Sequence, residues 1–122
     1  MSQLILIVDD NENNRKLARD VLEYAGFNTA EAAGGVDGVV QAMEHNPDLV
    51  LMDIRMPDLS GTEALKLLRE DSRTAEIPIV ALTSSTMRGD EQRFLAEGFD
   101  GFLAKPISVR EFPDQVRGFL RE

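Results

Sequence analysis

LILIVDDN, running from Leu4 to Asn11, decides how the rest of the chain is read. Leu4 to Val8 are apolar without alternation, the pattern of a strand covered on both faces. The run then breaks into Asp9-Asp10-Asn11, so the strand ends where acidic, turn-prone residues begin. The head MSQLILIVDD is uncharged at its start and acidic within ten residues, which reads as a strand entering a loop and not as a signal peptide.

Four more runs follow the same plan: a weaker NTAEAA (Asn28 to Ala33), LVLMD (Leu49 to Asp53), IVALT (Ile79 to Thr83) and FLA (Phe102 to Ala104). Between them lie stretches with helical spacing. Leu17, Val21, Leu22 and Ala25 make the first stripe, with Gly26 as its stop. Val39, Val40 and Met43 make the second, ending at Asn46-Pro47. Ser60 and Glu63 form a capping box ahead of Ala64, Leu65 and Leu68. The fourth helix runs roughly from Arg88 to Glu97 and stops at Gly98. The fifth opens at a second capping box, Ser108 to Glu111, and carries Val116, Phe119 and Leu120. Pro113 falls near the fifth position of that helix, so the helix either starts late or bends.

Strict alternation of strand and helix predicts a parallel α/β sheet between two helical layers, and 122 residues suit one such domain, residues 1–122. Several function classes are excluded by composition. No apolar run is long enough to span a membrane. A net charge of −9 repels nucleic acid and anionic lipid. Cysteine is absent, which removes thiolate chemistry and fits a reducing cytoplasm, the expected location. His45 is the only histidine, at a polar helix end, so a mechanism needing two is excluded.

In an open parallel sheet, ligands bind beyond the carboxyl ends of the strands. Asp9-Asp10, Asp53 and Thr83 sit at three such ends, and Lys105-Pro106 follows a fourth. Singly, each reads as a cap, a turn or a structural hydroxyl. Jointly, they bring carboxylates, a hydroxyl and an ammonium to one edge. Crowded carboxylates repel one another, and a hard cation such as Mg²⁺ offsets that cost. Lys105 then suits a phosphoryl oxygen, Thr83 can donate to the same group, and Asp53 is the natural nucleophile.

Four segments together carry a family resemblance: IVDDN (Ile7 to Asn11), LMDIRMPDLSG (Leu51 to Gly61), IVALTS (Ile79 to Ser84) and FLAKPIS (Phe102 to Ser108). In order and spacing the chain resembles the receiver domain of bacterial response regulators, and its MRGDE stretch (Met87 to Glu91) is similar to small receivers of phosphorelay circuits. The resemblance implies a flavodoxin-like, doubly wound (βα)5 sheet of strand order 2-1-3-4-5. It implies phosphorylation of Asp53 and Mg²⁺ binding by Asp10, by Asp9 largely through water, by Asp53 and by the Arg55 backbone carbonyl. Thr83 and Lys105 would hold the phosphoryl oxygens, and the Lys105–Pro106 peptide would be cis. Phe102 would be an aromatic switch turning inward as Thr83 moves. The implied donor is a histidine kinase or histidine phosphotransfer protein. The output surface would be the fourth helix, fifth strand and fifth helix, around Met87 and Phe102. Ser84 stands where a small alanine is commonest in the family and keeps the space open, while Arg55 and Ser85 occupy positions that vary in it.

Such a module is a signalling switch rather than an enzyme with a substrate of its own. A haloacid-dehalogenase-type hydrolase would carry its nucleophile after the first strand in a D-x-D pattern. A flavin carrier would need a Ser/Thr/Gly-rich first loop in place of Asp9-Asp10-Asn11-Glu12. The retained alternative is a receiver module from a hybrid histidine kinase. Met1 and a last helix ending near Glu122 lead to the expectation of a free-standing protein.

Overall fold

Ten elements alternate along the chain: β1 (Leu4–Val8), α1 (Glu12–Tyr24), β2 (Asn28–Ala32), α2 (Gly35–His45), β3 (Leu49–Asp53), α3 (Gly61–Glu70), β4 (Ile79–Thr83), α4 (Asp90–Glu97), β5 (Gly101–Ala104) and α5 (Phe112–Phe119). They belong to a computed structural model that describes residues 3–83 and 90–120. All strands are parallel, in the order β2-β1-β3-β4-β5. This is the doubly wound arrangement, and the order reverses between β1 and β3.

The unbroken apolar runs are explained by what each face meets. Successive side chains in a strand point to opposite faces. Leu6, Val8, Val50, Met52, Ile79 and Ala81 therefore pack on one side with Val39, Ala64, Leu65, Leu68 and Phe94 from α2, α3 and α4. Ile5, Ile7, Leu49, Leu51, Val80 and Leu82 pack on the other with Ala18, Leu22, Phe112 and Val116 from α1 and α5. Full burial of a side chain such as Leu22 contributes about 2 kcal/mol.

Local signals act as expected at several ends. Ser60 and Glu63 form their reciprocal capping box, and Asn11, for which no cap was expected, also caps α1 by accepting the Asn14 N–H. Gly26 and Gly98 both take positive φ, which a side chain would oppose. His45 is exposed at the end of α2.

Other expectations need correction. β2 ends at Ala32, one residue early, and β5 starts at Gly101. Leu17 and Val40 are exposed, because the buried stripes centre on Ala18 and Leu22 in α1 and on Val39 and Ala42 in α2. The Ser108–Glu111 capping box does not form. Ser108 instead makes a turn, accepting the Glu111 N–H at Oγ (3.4 Å) and the Phe112 N–H at its carbonyl (2.8 Å). α5 starts late, at Phe112, so Pro113 lies in the first turn, where its missing N–H breaks no helical bond. The Lys105–Pro106 peptide, by contrast, is cis, as the resemblance implied.

Candidate functional site

The strand register assembles the site. Val8 pairs with Met52, so Asp9, the residue after β1, and Asp53, the last of β3, sit side by side. Asp53 pairs with Leu82 and Thr83 with Ala104, so Thr83 and Lys105 reach the same edge. Main-chain bonds continue the ladder: Asp9 N–H donates to Ala32 O (3.1 Å), Ile54 N–H to Leu82 O (3.2 Å) and Lys105 N–H to Thr83 O (2.7 Å).

Asp9 and Asp53 are 1% and 6% exposed, while Asp10 is exposed. One carboxylate oxygen from each lies within 4.8 Å of the others. Lys105 Nζ donates to Asp9 Oδ2 at 3.0 Å and lies 3.2 Å from Asp53 Oδ2. The other oxygen of Asp53 accepts the Arg55 N–H at 3.4 Å. Asp9 Oδ1 accepts the Asn11 N–H at 2.9 Å. Burial, and then the neighbouring Asp9 charge, push the Asp53 carboxyl up, with the Lys105 ammonium pulling against both. For Lys105, burial pulls the ammonium down, but Asp9 and Asp53 together outweigh it and hold it above its ordinary value. The cleft therefore holds two buried carboxylates around one ammonium, with a third carboxylate at its mouth. A donor set of carboxylate oxygens alone fits a hard cation of the Mg²⁺ class.

Thr83 is buried at the end of β4, on the strand next to that of Asp53. Phe102 is half-buried on β5 against the α2–α3–α4 side of the core, its ring 6.3 Å from that of Phe94. The predicted Ser84, Ser85 and Met87 lie outside the described residues.

Three features were not foreseen. Gly61 is packed so closely on the end of β3 that a Cβ there would strike the Asp53 carbonyl oxygen and press on Ile54 Cα (2.9 Å). The carboxylate of Asp58, in the loop after Asp53, accepts the N–H groups of Gly35 (3.1 Å) and Val36 (3.2 Å), which open α2. Arg15 donates to the Asp9 carbonyl oxygen at 2.7 Å. The Asp58 and Arg15 contacts have no local sequence signal, although an arginine one turn past the Asn11 cap is placed to reach back over the helix start.

Comparison with known proteins agrees with the fold. A family profile described as the response regulator receiver domain matches residues 5–117. The polar-differentiation response regulator DivK of Brucella ovis is 41% identical over 120 residues, covering 98% of both chains. The chemotaxis response regulator CheY4 of Vibrio cholerae superposes with a TM-score of 0.92 at 28% identity, over 98% of this chain and all of that one. The receiver domain of the sensor histidine kinase PA1611 from Pseudomonas aeruginosa, solved with a magnesium ion coordinated in its active-site cleft, superposes with a TM-score of 0.88 at 31% identity, over 98% of each chain. The profile match along nearly the whole sequence, the DivK identity and the close superpositions lead to one conclusion: this chain belongs to the response regulator receiver domain family of two-component systems.

Proposed function

We propose that residues 1–122 form one receiver that accepts a phosphoryl group on Asp53 from a histidine kinase or a histidine phosphotransfer protein. The observation that carries this reading is Asp53 itself, a carboxylate buried at a strand end with Lys105 at 3.2 Å and Asp9 and Asp10 beside it. An Asp53 oxygen supplies the electron pair for a new P–O bond. The P–N bond of the donor phosphohistidine breaks, and its imidazole nitrogen keeps that bond's electrons. Lys105 pairs with the incoming phosphoryl oxygens, and Thr83 donates its hydroxyl to one of them. Mg²⁺, held by Asp9, Asp10, Asp53 and the Arg55 carbonyl, would supply positive charge against the same oxygens.

The module signals through protein contacts and performs no reaction on a substrate other than its own phosphoryl group. Its output face is α4, β5 and α5, with Phe102 turning inward as Thr83 moves toward the phosphoryl group. The DivK relatives are response regulators, which supports this reading over a module of a hybrid kinase. The net charge of −9 supports protein rather than nucleic-acid partners. The absence of cysteine supports a cytoplasmic location. Incubation with phosphorylated candidate kinases tests the donor. Rapid transfer of label to the wild type, and none to Asp53→Asn, is expected; label on the variant would place the acceptor elsewhere. Multiple turnover on generic phosphate esters that requires Asp53 would instead make the protein a hydrolase.

A further inference from the structure

We propose that Arg15 is a positioning residue for the cation site, acting through the Asp9–Asp10 peptide whose oxygen it holds; this rests on the reading of Asp9, Asp10 and Asp53 as cation ligands. Arg15 stands in the first turns of α1, and its side chain is only 15% exposed. One guanidinium nitrogen donates to the Asp9 carbonyl oxygen at 2.7 Å. Its Nε faces Glu31 Oε1 at 3.4 Å, on β2. Glu31 is itself fixed, because Arg19 holds its second oxygen at 2.9 Å and Gln41 of α2 holds its backbone carbonyl at 2.7 Å.

The consequence lies in the peptide plane. The Asp9 amide is bonded to Ala32 and its side chain to Asn11 and Lys105. The carbonyl is the remaining handle, and Arg15 takes it. A peptide unit is rigid, so fixing its oxygen also fixes the direction in which the next residue leaves. That residue is Asp10, the exposed carboxylate at the mouth of the cleft. Asp10 thus receives its orientation from a guanidinium anchored on β2. Outer-shell partners of this kind typically tune metal affinity by about 10- to 100-fold when lost.

A purely structural role would look different, since Arg15 also ties α1 to β2. The test is Mg²⁺ titration followed by NMR of Asp10 and Asp53 backbone amides, alongside urea unfolding without metal. Arg15→Met should weaken Mg²⁺ binding by about tenfold. Arg15→Lys, which keeps one donor, should recover part of that loss. Glu31→Gln, which leaves Arg15 without its charged anchor, should weaken binding by a smaller factor. Val116→Ala, a core truncation on α5, should lower the urea midpoint and leave Mg²⁺ affinity unchanged. If Arg15→Met does not fold, Glu31→Gln and Arg15→Lys decide the matter. Wild-type affinity in the folded arginine and glutamate variants, or an equal loss in Val116→Ala, overturns the role of Arg15 and leaves the cation site standing. A wild type that does not bind Mg²⁺ removes the cation site and this inference together.

Discussion

Lys105 Nζ lies 3.2 Å from Asp53 Oδ2, although the two residues leave strands that are not neighbours: β4 runs between β3 and β5. The lysine spans that gap because its stem is long and the register sets Lys105 one residue past Ala104, opposite the end of β4. The same ammonium reaches Asp9 at 3.0 Å. It thereby offsets two buried carboxylates whose mutual repulsion the fold otherwise carries.

Removing that charge has a defined direction. In metal-free protein, Lys105→Met should push the Asp53 carboxyl still further above the ordinary aspartate range, because Lys105 opposes the burial that raises it. Carboxyl-carbon NMR titration measures this, and an unchanged or lowered value would contradict the geometry. Phosphoryl acceptance from a small donor should fall by about 10²-fold, as when one donor to a developing oxyanion is lost.

Asp58 yields a pH-dependent prediction. The N–H groups of Val36 and Gly35 hold its carboxyl below the ordinary aspartate range. A depressed folded value contributes stability above the unfolded pKa, and that contribution fades as pH falls through the folded one. Asp58→Asn should therefore have a lower urea midpoint than wild type at pH 7. The gap should close from about pH 4 downward. A gap that widened on acidification would mean the carboxylate does not hold the start of α2.

Gly61 tests the close packing behind the acceptor. Gly61→Ala places a methyl against the Asp53 carbonyl oxygen and Ile54 Cα, both backbone atoms that cannot swing aside. The cost expected from such overpacking is about 1–3 kcal/mol in urea unfolding. Amide shifts should centre on Asp53 and Ile54. A neutral substitution would show that the end of β3 is free to move.

Arg69 tests what anchors α4. From α3 it donates to the carbonyls of Ala75 (3.0 Å), Ile77 (2.6 Å) and Gly98 (3.0 Å), and pairs with Asp100 at 2.7 Å. Asp100 also accepts the Ile79 N–H at 2.8 Å, so the start of β4 and the end of α4 share one clamp. Arg69→Ala leaves several acceptors without this partner and should cost about 2–3 kcal/mol. Hydrogen exchange should rise first at Ile79 and at the C-terminal end of α4. Uniform exchange across the sheet would contradict a local clamp.

Much of this molecule was legible in its sequence, for identifiable reasons. A sheet covered on both faces writes its central strands as unbroken apolar runs, and Leu4–Val8, Leu49–Asp53 and Ile79–Thr83 are three of these. Parallel strands in register deliver their C-terminal neighbours to one edge, so Asp9, Asp53, Thr83 and Lys105 could be grouped before any coordinates. The start of α5 was ambiguous because Ser108, Glu111 and Pro113 each offered a competing signal, and a turn closed by Ser108 prevailed. Leu17 and Val40 misled because helical spacing gives a stripe's period without fixing its centre. The contacts of Asp58 with α2 and of Arg15 with Asp9 are side chain to main chain. No periodicity encodes such bonds.

The central claim is that Asp53 takes the phosphoryl group, and intact-protein mass spectrometry with a small phosphodonor and Mg²⁺ measures it most directly. Wild type should gain the mass of one phosphoryl group, and Asp53→Asn should gain none under identical conditions. Full modification of Asp53→Asn, or no modification of a folded wild type that binds Mg²⁺, would contradict the account.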